Sequence, residues 1–164
     1  MIELIVLDVD GCLTDGRISH TQNGDEIKSV NVKDGLAIAT WIRMGKRAAI
    51  ITGRTSKIVE KRAKELKITH IHQGIKDKKA KLDQILETEG LTYAQVAAIG
   101  DDLNDYRMLD AAGIAFTPSD GASQIEPVID VRLSRPGGGG AVREMIEHIV
   151  QQEGLQERFL APWL

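Results

Sequence analysis

The 164-residue sequence predicts an α/β fold, a doubly wound and mainly parallel sheet in a single domain spanning residues 1–164. Three observations carry that prediction. Short apolar runs of β type alternate with helical periodicities, several of those runs are apolar throughout, and acidic residues follow two of them directly. Strands covered on both faces read as continuous apolar runs. Alternation of strand and helix gives parallel strands with helices on either side.

The strand candidates are 2–7, 47–52, 70–73, 96–99, 114–117 and 130–133. Between them, Ile58, Val59, Ala63 and Leu66 share one helical face, with Arg62 its polar exception. Leu82, Ile85 and Leu86 mark a second helix closed by Gly90, and Val142, Met145, Ile146, Ile149 and Val150 a third closed by Gly154. Residues 14–32 break the alternation. Asn23-Gly24 lies between two β-type arms and predicts a tight β-hairpin after the first strand, since both residues tolerate positive φ. Gly137–Gly140 is the one low-complexity run, and the tail 155–164 ends in Phe159, Leu160, Pro162, Trp163 and Leu164, an apolar end that needs a docking surface.

Composition narrows the function. With 42% apolar and 27% charged residues the chain can bury one sizeable core. A net charge of −3 disfavours nucleic acid as a partner. Cys12 is the only cysteine, which rules out an internal disulfide and assigns that residue a structural role. The apolar run at the N-terminus is too short to span a bilayer and lacks a basic flank, so no membrane partner and a cytoplasmic location are expected. His20, His70, His72 and His148 have no spacing suited to a common metal, and Trp41 belongs to a core or an interface.

The chemistry lies at the strand ends. The first strand runs into Asp8-Val9-Asp10-Gly11, and in extended backbone residues two apart point the same way. The fourth runs into Gly100-Asp101-Asp102, followed by Asp105. Carboxylates therefore leave two strands at the edge where open α/β sheets bind ligands. Such a cluster calls for a hard cation, and oxygen-only ligands favour Mg²⁺. Thr52 ends the second strand, ahead of Gly53 and Arg54, and Lys78 opens the helix after the third. A hydroxyl, backbone amides and an ammonium suit phosphoryl oxygens. Singly, each of these is as well explained by a cap, a turn or a solvated lysine; their joint order is what points to phosphoryl transfer.

With these motifs in place, the sequence resembles the haloacid-dehalogenase superfamily of Rossmann-like hydrolases over nearly its whole length. The matching residues are Asp8-Val9-Asp10-Gly11, Thr52, Lys78 and Gly100-Asp101-Asp102-Leu103-Asn104-Asp105. The resemblance implies that Asp8 is a nucleophile forming an aspartyl-phosphate and Asp10 a general acid and then base. It further implies Mg²⁺ held by the Asp8 carboxylate, the Asp10 carbonyl and Asp101, with Asp102 and Asp105 behind them and Asp105 orienting Lys78. Thr52, Gly53, Arg54 and Lys78 join Asp8 and Asp10 in binding substrate. No cap domain fits between the motifs, so the chain is similar to the cap-less subgroup.

Within that subgroup, residues 8–16, Asn31-Val32-Lys33-Asp34-Gly35, Thr52-Gly53-Arg54 and Gly140-Ala141-Val142-Arg143-Glu144 resemble the 3-deoxy-D-manno-octulosonate 8-phosphate phosphatases of lipopolysaccharide precursor synthesis, which are tetramers. Arg54 is placed to pair with a sugar-acid carboxylate, where the nonulosonate 9-phosphate phosphatases tend to carry glutamate. Gly139 departs from the pattern, replacing an arginine common in the family. A phospho-accepting receiver domain and a non-catalytic binding module remain as alternatives; a receiver places its acidic pair first and its lysine last, whereas Lys78 precedes Asp101 here. The expected assembly is a homotetramer in which hairpins pack together and the C-terminal tail of one subunit crosses a neighbour's site, with a tail folded back on its own subunit as the alternative.

Overall fold

The computed structural model describes residues 1–164. In chain order the elements are β1 (Leu4–Leu7), β2 (Ser19–His20), β3 (Glu26–Ile27), α1 (Val32–Arg43), β4 (Arg47–Ile51), α2 (Lys57–Glu65), β5 (His70–His72), α3 (Lys78–Glu89), β6 (Val96–Ile99), α4 (Tyr106–Ala111), β7 (Ile114–Thr117), β8 (Val131–Arg132), α5 (Ala141–Gln152) and α6 (Gln156–Leu160). Six strands form one sheet in the order β5-β4-β1-β6-β7-β8, every neighbouring pair parallel. From β1 the chain winds outward through β4 to β5, then returns to the other side of β1 for β6, β7 and β8. The reversal opens a crevice between the carboxyl ends of β1 and β6.

The alternation of side chains along each strand divides the core in two. Ile5, Leu7, Ile50, Ile99 and Phe116 pack with Ile38 and Trp41 of α1, Val59 of α2 and Met145 and Ile146 of α5. Leu4, Val6, Ile51, Val96 and Ala98 face Leu82 and Ile85 of α3 and Leu109 of α4. All four residues of β1 are fully buried, which is why this strand reads as continuously apolar. Each such large side chain contributes about 1.5–3 kcal/mol of transfer free energy. Trp41 belongs to the core, and its indole N–H donates to the Arg47 carbonyl at 2.9 Å.

Local signals set the helix ends. Asn31 accepts a hydrogen bond from the Lys33 N–H, Ser56 from Ile58 and Asp77 from Ala80, each satisfying a donor that the first turn leaves free. Gly90 closes α3 in the left-handed region, with φ 65°. The expected first strand is shorter than its apolar run, because the Ile2 N–H goes to the Glu153 carboxylate at 2.6 Å.

The excursion between β1 and β4 contains the short antiparallel pair β2–β3. Its turn differs from the expected two-residue form. Only Gly24 takes positive φ, at 87°. The Gly24 N–H donates to the Thr21 carbonyl at 3.0 Å and the Thr21 N–H to the Asp25 carbonyl at 2.8 Å. That is a three-residue loop with a glycine bulge, in which Asn23 keeps an ordinary conformation.

The tail corrects a second expectation, since it folds back on its own chain. Phe159 packs on the core edge, Arg158 donates to the Met44 carbonyl at 2.6 Å and the Trp163 indole N–H to Thr40 Oγ1 at 3.2 Å. The Arg43 guanidinium lies over the Trp163 ring, 4.7 Å from its centre. These partners lie at the end of α1 that leads into β4, remote from the carboxyl edge of the sheet. No helix is long and apolar enough to cross a membrane.

Removing residues 156–164 is expected to cost about 1–3 kcal/mol through re-exposed apolar surface, or roughly 3–10 °C in Tm for a chain of this size. Calorimetry on the truncated protein checks this, and an unchanged Tm would show that the docked tail adds no stability.

Candidate active site

β1 delivers Asp8 to the crevice in extended backbone, and the chain then makes one wide turn closed by the Thr14 N–H on the Val9 carbonyl at 3.0 Å. Thr14 Oγ1 accepts from the N–H groups of Gly11 and Gly16 at 3.3 and 3.1 Å. Gly11 does more than permit the turn. It has φ 95°, and a Cβ there would lie 1.8 Å from Asp101 Oδ2. The missing side chain is the space the Asp101 carboxylate occupies. The glycine run packs equally closely on the back of this turn: a Cβ on Gly137 would sit 1.8 Å from the Gly11 carbonyl oxygen, and the Gly138 N–H donates to the Cys12 carbonyl at 3.0 Å. Gly139, too, is in a tight place, with Pro136 atoms 2.8 Å from a Cβ at that position.

β6 delivers the facing acids. Asp105 is fully buried; its Oδ2 accepts from the N–H groups of Asp101 and Asp102 at 2.9 and 3.2 Å, and its Oδ1 from Lys78 Nζ at 2.5 Å. Lys78, 2% exposed, also donates to Asp8 Oδ1 at 2.8 Å. One ammonium thus links the first and last motifs. Burial, opposed by Lys78 and reinforced by Asp105, lifts Asp8 to about 6. Burial together with Asp8 and Asp105 lifts Asp101 to about 8. Burial works against the charge of Lys78, but Asp8 and Asp105 outweigh it and hold the ammonium well above the ordinary lysine range.

Thr52 is buried at the end of β4, anchored by its N–H on the His72 carbonyl and by its own carbonyl on the Ile75 N–H, both at 3.0 Å. Gly53 and Arg54 follow at the rim. Arg54 is directed at the hairpin, donating to Glu26 Oε2 at 2.9 Å. Asp102 is exposed, and its Oδ1 accepts the Leu103 N–H at 2.8 Å, so it caps the turn after β6 while its charge acts on Asp101 beside it. The Asp10 carboxylate is separate from the Asp8–Asp101 pair: Lys28 Nζ donates to its Oδ1. Lys28 and Glu26 were not singled out by the sequence reading. The signal for them is the alternation Glu26-Ile27-Lys28, which puts both charges on one face of the arm that starts as β3.

Ligand atoms of Asp8, Asp101 and Cys12 all lie within 4.8 Å of one another. Burial, Asp8 and Asp101 push the Cys12 thiol well above its usual range, so it stays a neutral, soft sulfur and suits no hard cation.

The profile of the haloacid dehalogenase-like hydrolases matches residues 29–113. The 3-deoxy-D-manno-octulosonate 8-phosphate phosphatase KdsC of Escherichia coli K12 is 38% identical over 93% of this chain and 81% of its own. That of Haemophilus influenzae is 35% identical over 96% of this chain and 88% of its own. The chain belongs to the haloacid dehalogenase-like hydrolases. The Moraxella catarrhalis 3-deoxy-D-manno-octulosonate 8-phosphate phosphatase, solved with magnesium, phosphate and KDO, superposes on this hydrolase with a TM-score of 0.95, at 39% identity over 99% of this chain and 94% of that one.

The residues of this hydrolase fit a divalent cation on charge alone. The carboxylates of Asp8, Asp101 and Asp105 face the single ammonium of Lys78, leaving two negative charges unbalanced when all are ionised. Asp8 and Asp101 meet this by holding protons instead. Both therefore bind more protons when folded than when unfolded, Asp8 between about pH 4, the unfolded value, and about pH 6, and Asp101 between about pH 4 and about pH 8. Stability falls with rising pH wherever the folded state binds more protons. Metal-free protein is accordingly expected to lose Tm as pH rises from about 5 to about 8, and Mg²⁺ to restore most at the upper end. Thermal melts in chelator and in Mg²⁺ across that range check it, and a metal-free Tm that is flat or rises would contradict it.

Proposed function

We propose that this chain hydrolyses the phosphate monoester of a sugar acid, 3-deoxy-D-manno-octulosonate 8-phosphate, through a phosphorylated Asp8, as a cytoplasmic enzyme. The observation that carries the reading is the buried line Asp8–Lys78–Asp105 facing Asp101 at the crevice. A lone carboxylate at a strand end needs no such framing; a nucleophile held at one geometry does. The relatives named above act on this substrate, and the matches cover 93% and 99% of this chain and 81% and 94% of theirs.

Asp8 is the attacking group. Its Oδ1 is tied to Lys78, which leaves the other oxygen to approach phosphorus. Lys78 has three N–H donors and spends two on Asp8 and Asp105, so one remains for a phosphoryl oxygen. The Thr52 hydroxyl and the N–H groups of Gly53 and Arg54 serve the other phosphoryl oxygens. Asp8 forms the new P–O bond as the sugar oxygen departs, and Asp10 gives that oxygen its proton. Asp10 then takes a proton from water as the water attacks phosphorus and frees Asp8. Mg²⁺, held by the carboxylates of Asp8 and Asp101 and the Asp10 carbonyl, supplies the charge that keeps Asp8 ionised against an anionic substrate. Arg54 pairs with the carboxylate of the sugar acid by exchanging Glu26 for it.

The site has no cap domain, and its surroundings support the homotetramer. Ile18, Ile27, Val30, Val32 and Leu36 are 41–76% exposed around the hairpin, an apolar group that a second copy would cover. Ile27→Glu is expected to shift the mass in solution towards monomer. An unchanged mass would remove the hairpin from the interface.

Phosphate release from a panel of octulosonate 8-phosphate, nonulosonate 9-phosphate and simple sugar phosphates tests the substrate. The octulosonate ester should lead by at least about tenfold in kcat/KM, a gap of roughly 1.4 kcal/mol in transition-state binding. Asp8→Asn should abolish turnover and phosphoenzyme together, and Asp10→Asn should lose of order 10²–10⁴-fold in kcat. Phosphoenzyme trapped from Asp8→Asn protein would overturn the assignment.

A further inference from the structure

Lys28 lies outside every motif discussed so far, yet its side chain is only 2% exposed. An ammonium is buried only where charges compensate it. Two do so here. Nζ donates to Asp10 Oδ1 and lies 3.2 Å from Glu26 Oε1, while the other oxygen of Glu26 holds Arg54 at 2.9 Å. The result is a line of alternating charge, Asp10–Lys28–Glu26–Arg54, that runs from the crevice to the rim. Half of it comes from the hairpin, a segment with little apolar interior of its own.

We propose that Lys28 is a positioning residue for phosphoryl transfer, fixing the Asp10 carboxylate so that one oxygen meets the leaving group. The inference rests on the reading of Asp10 as the proton-transferring acid. Asp10 has two oxygens and two tasks. Lys28 occupies Oδ1, which leaves Oδ2 to carry the proton. The Asp10 side chain is 20% exposed and has no other hydrogen-bond partner, so without Lys28 its carboxylate is free to turn towards water. Proton transfer is steep in distance and angle, and a misplacement of about 1 Å costs up to roughly 10²-fold. Glu26, on the other side of the ammonium, keeps Lys28 from following Asp10 outward.

A brace that merely holds the hairpin would affect all substrates alike. A residue that aims an acid matters only where the leaving group needs a proton. Rapid-quench measurement of phosphoenzyme formation, with Mg²⁺ present, separates these on a sugar phosphate and on 4-nitrophenyl phosphate, whose leaving group departs as a stable anion. Lys28→Met is expected to slow transfer from the sugar phosphate by about 10–10²-fold and from the aryl ester by less than about threefold. Lys28→Arg should restore part of the loss, and Lys28→Met should add nothing to Asp10→Asn on the sugar phosphate. Equal losses on both esters, no loss on either, or additivity with Asp10→Asn would overturn the proposal. If the Lys28→Met protein does not fold, Glu26→Gln, which leaves the ammonium one partner, must show the same selective loss. A sugar-phosphate rate left unchanged by Asp10→Asn would instead remove the reading of Asp10 beneath it.

Discussion

The structure is organised around an excess of negative charge that it does not balance by itself. Asp8 and Asp105 are buried, Asp101 is half-buried, and Lys78 is the only cation in contact with Asp8 and Asp105. Bringing carboxylates this close is costly, and the local backbone is shaped to permit it. Gly11 leaves room for the Asp101 carboxylate, and Gly100 leaves room for Asp105, whose Cβ would be 2.5 Å from an added one. Side chains at either place would push the two halves of the site apart. Burial first, and the neighbouring carboxylates after it, raise Asp8 and Asp101, and a small divalent cation would relieve both costs.

Such a cluster needs a rigid support, and the sheet supplies it. β1 and β6 lie side by side in register from Leu4 and Val96 to Leu7 and Ile99. The residues that follow them emerge at one level. Both strands are buried on both faces, by α1 and α5 on one side and by α3 and α4 on the other. The reversal of winding between them keeps loops from covering the crevice. Lys78 reaches it from the first turn of α3, so a third element shares the charge. The apolar core is what allows an ion pair to be held without water in the way.

Much of this was legible because the signals are local. Strands at 96–99 and 114–117 match to the residue, since short β-type runs stopped by Gly100 and held between Gly113 and Pro118 leave little choice. Asp8, Lys78, Asp101 and Asp105 were found because each follows or opens an element whose direction the pattern sets. What escaped depends on contacts distant in sequence. Lys28 meets Asp10 across the hairpin, and nothing in the order of residues states that its side chain folds inward. The glycine run reads as low complexity until Gly137 is seen against the Gly11 carbonyl. Asp102 sits next to Asp101 but takes a cap, a competition between neighbours that spacing does not decide. The tail was expected on a neighbour because its apolar residues needed cover; the surface beside Thr40 and Arg43 covers part of them at home, with Leu160, Trp163 and Leu164 still exposed.

The hairpin meets the site through one charged face. Its second arm alternates, so Glu26 and Lys28 share one face and Ile27 takes the other. The charged face turns to Asp10 and Arg54, and Ile27 stands 48% exposed. A two-residue strand pair is too short to hold a shape by its own hydrogen bonds. Its inward order comes from the ion pairs at the site, and its outward order depends on what covers Ile27, Val30 and Val32. Any surface that settles on that apolar face therefore also stiffens the arm that carries Lys28. If a second copy covers that face, as proposed, its contact and the aim of Asp10 would act through one strand.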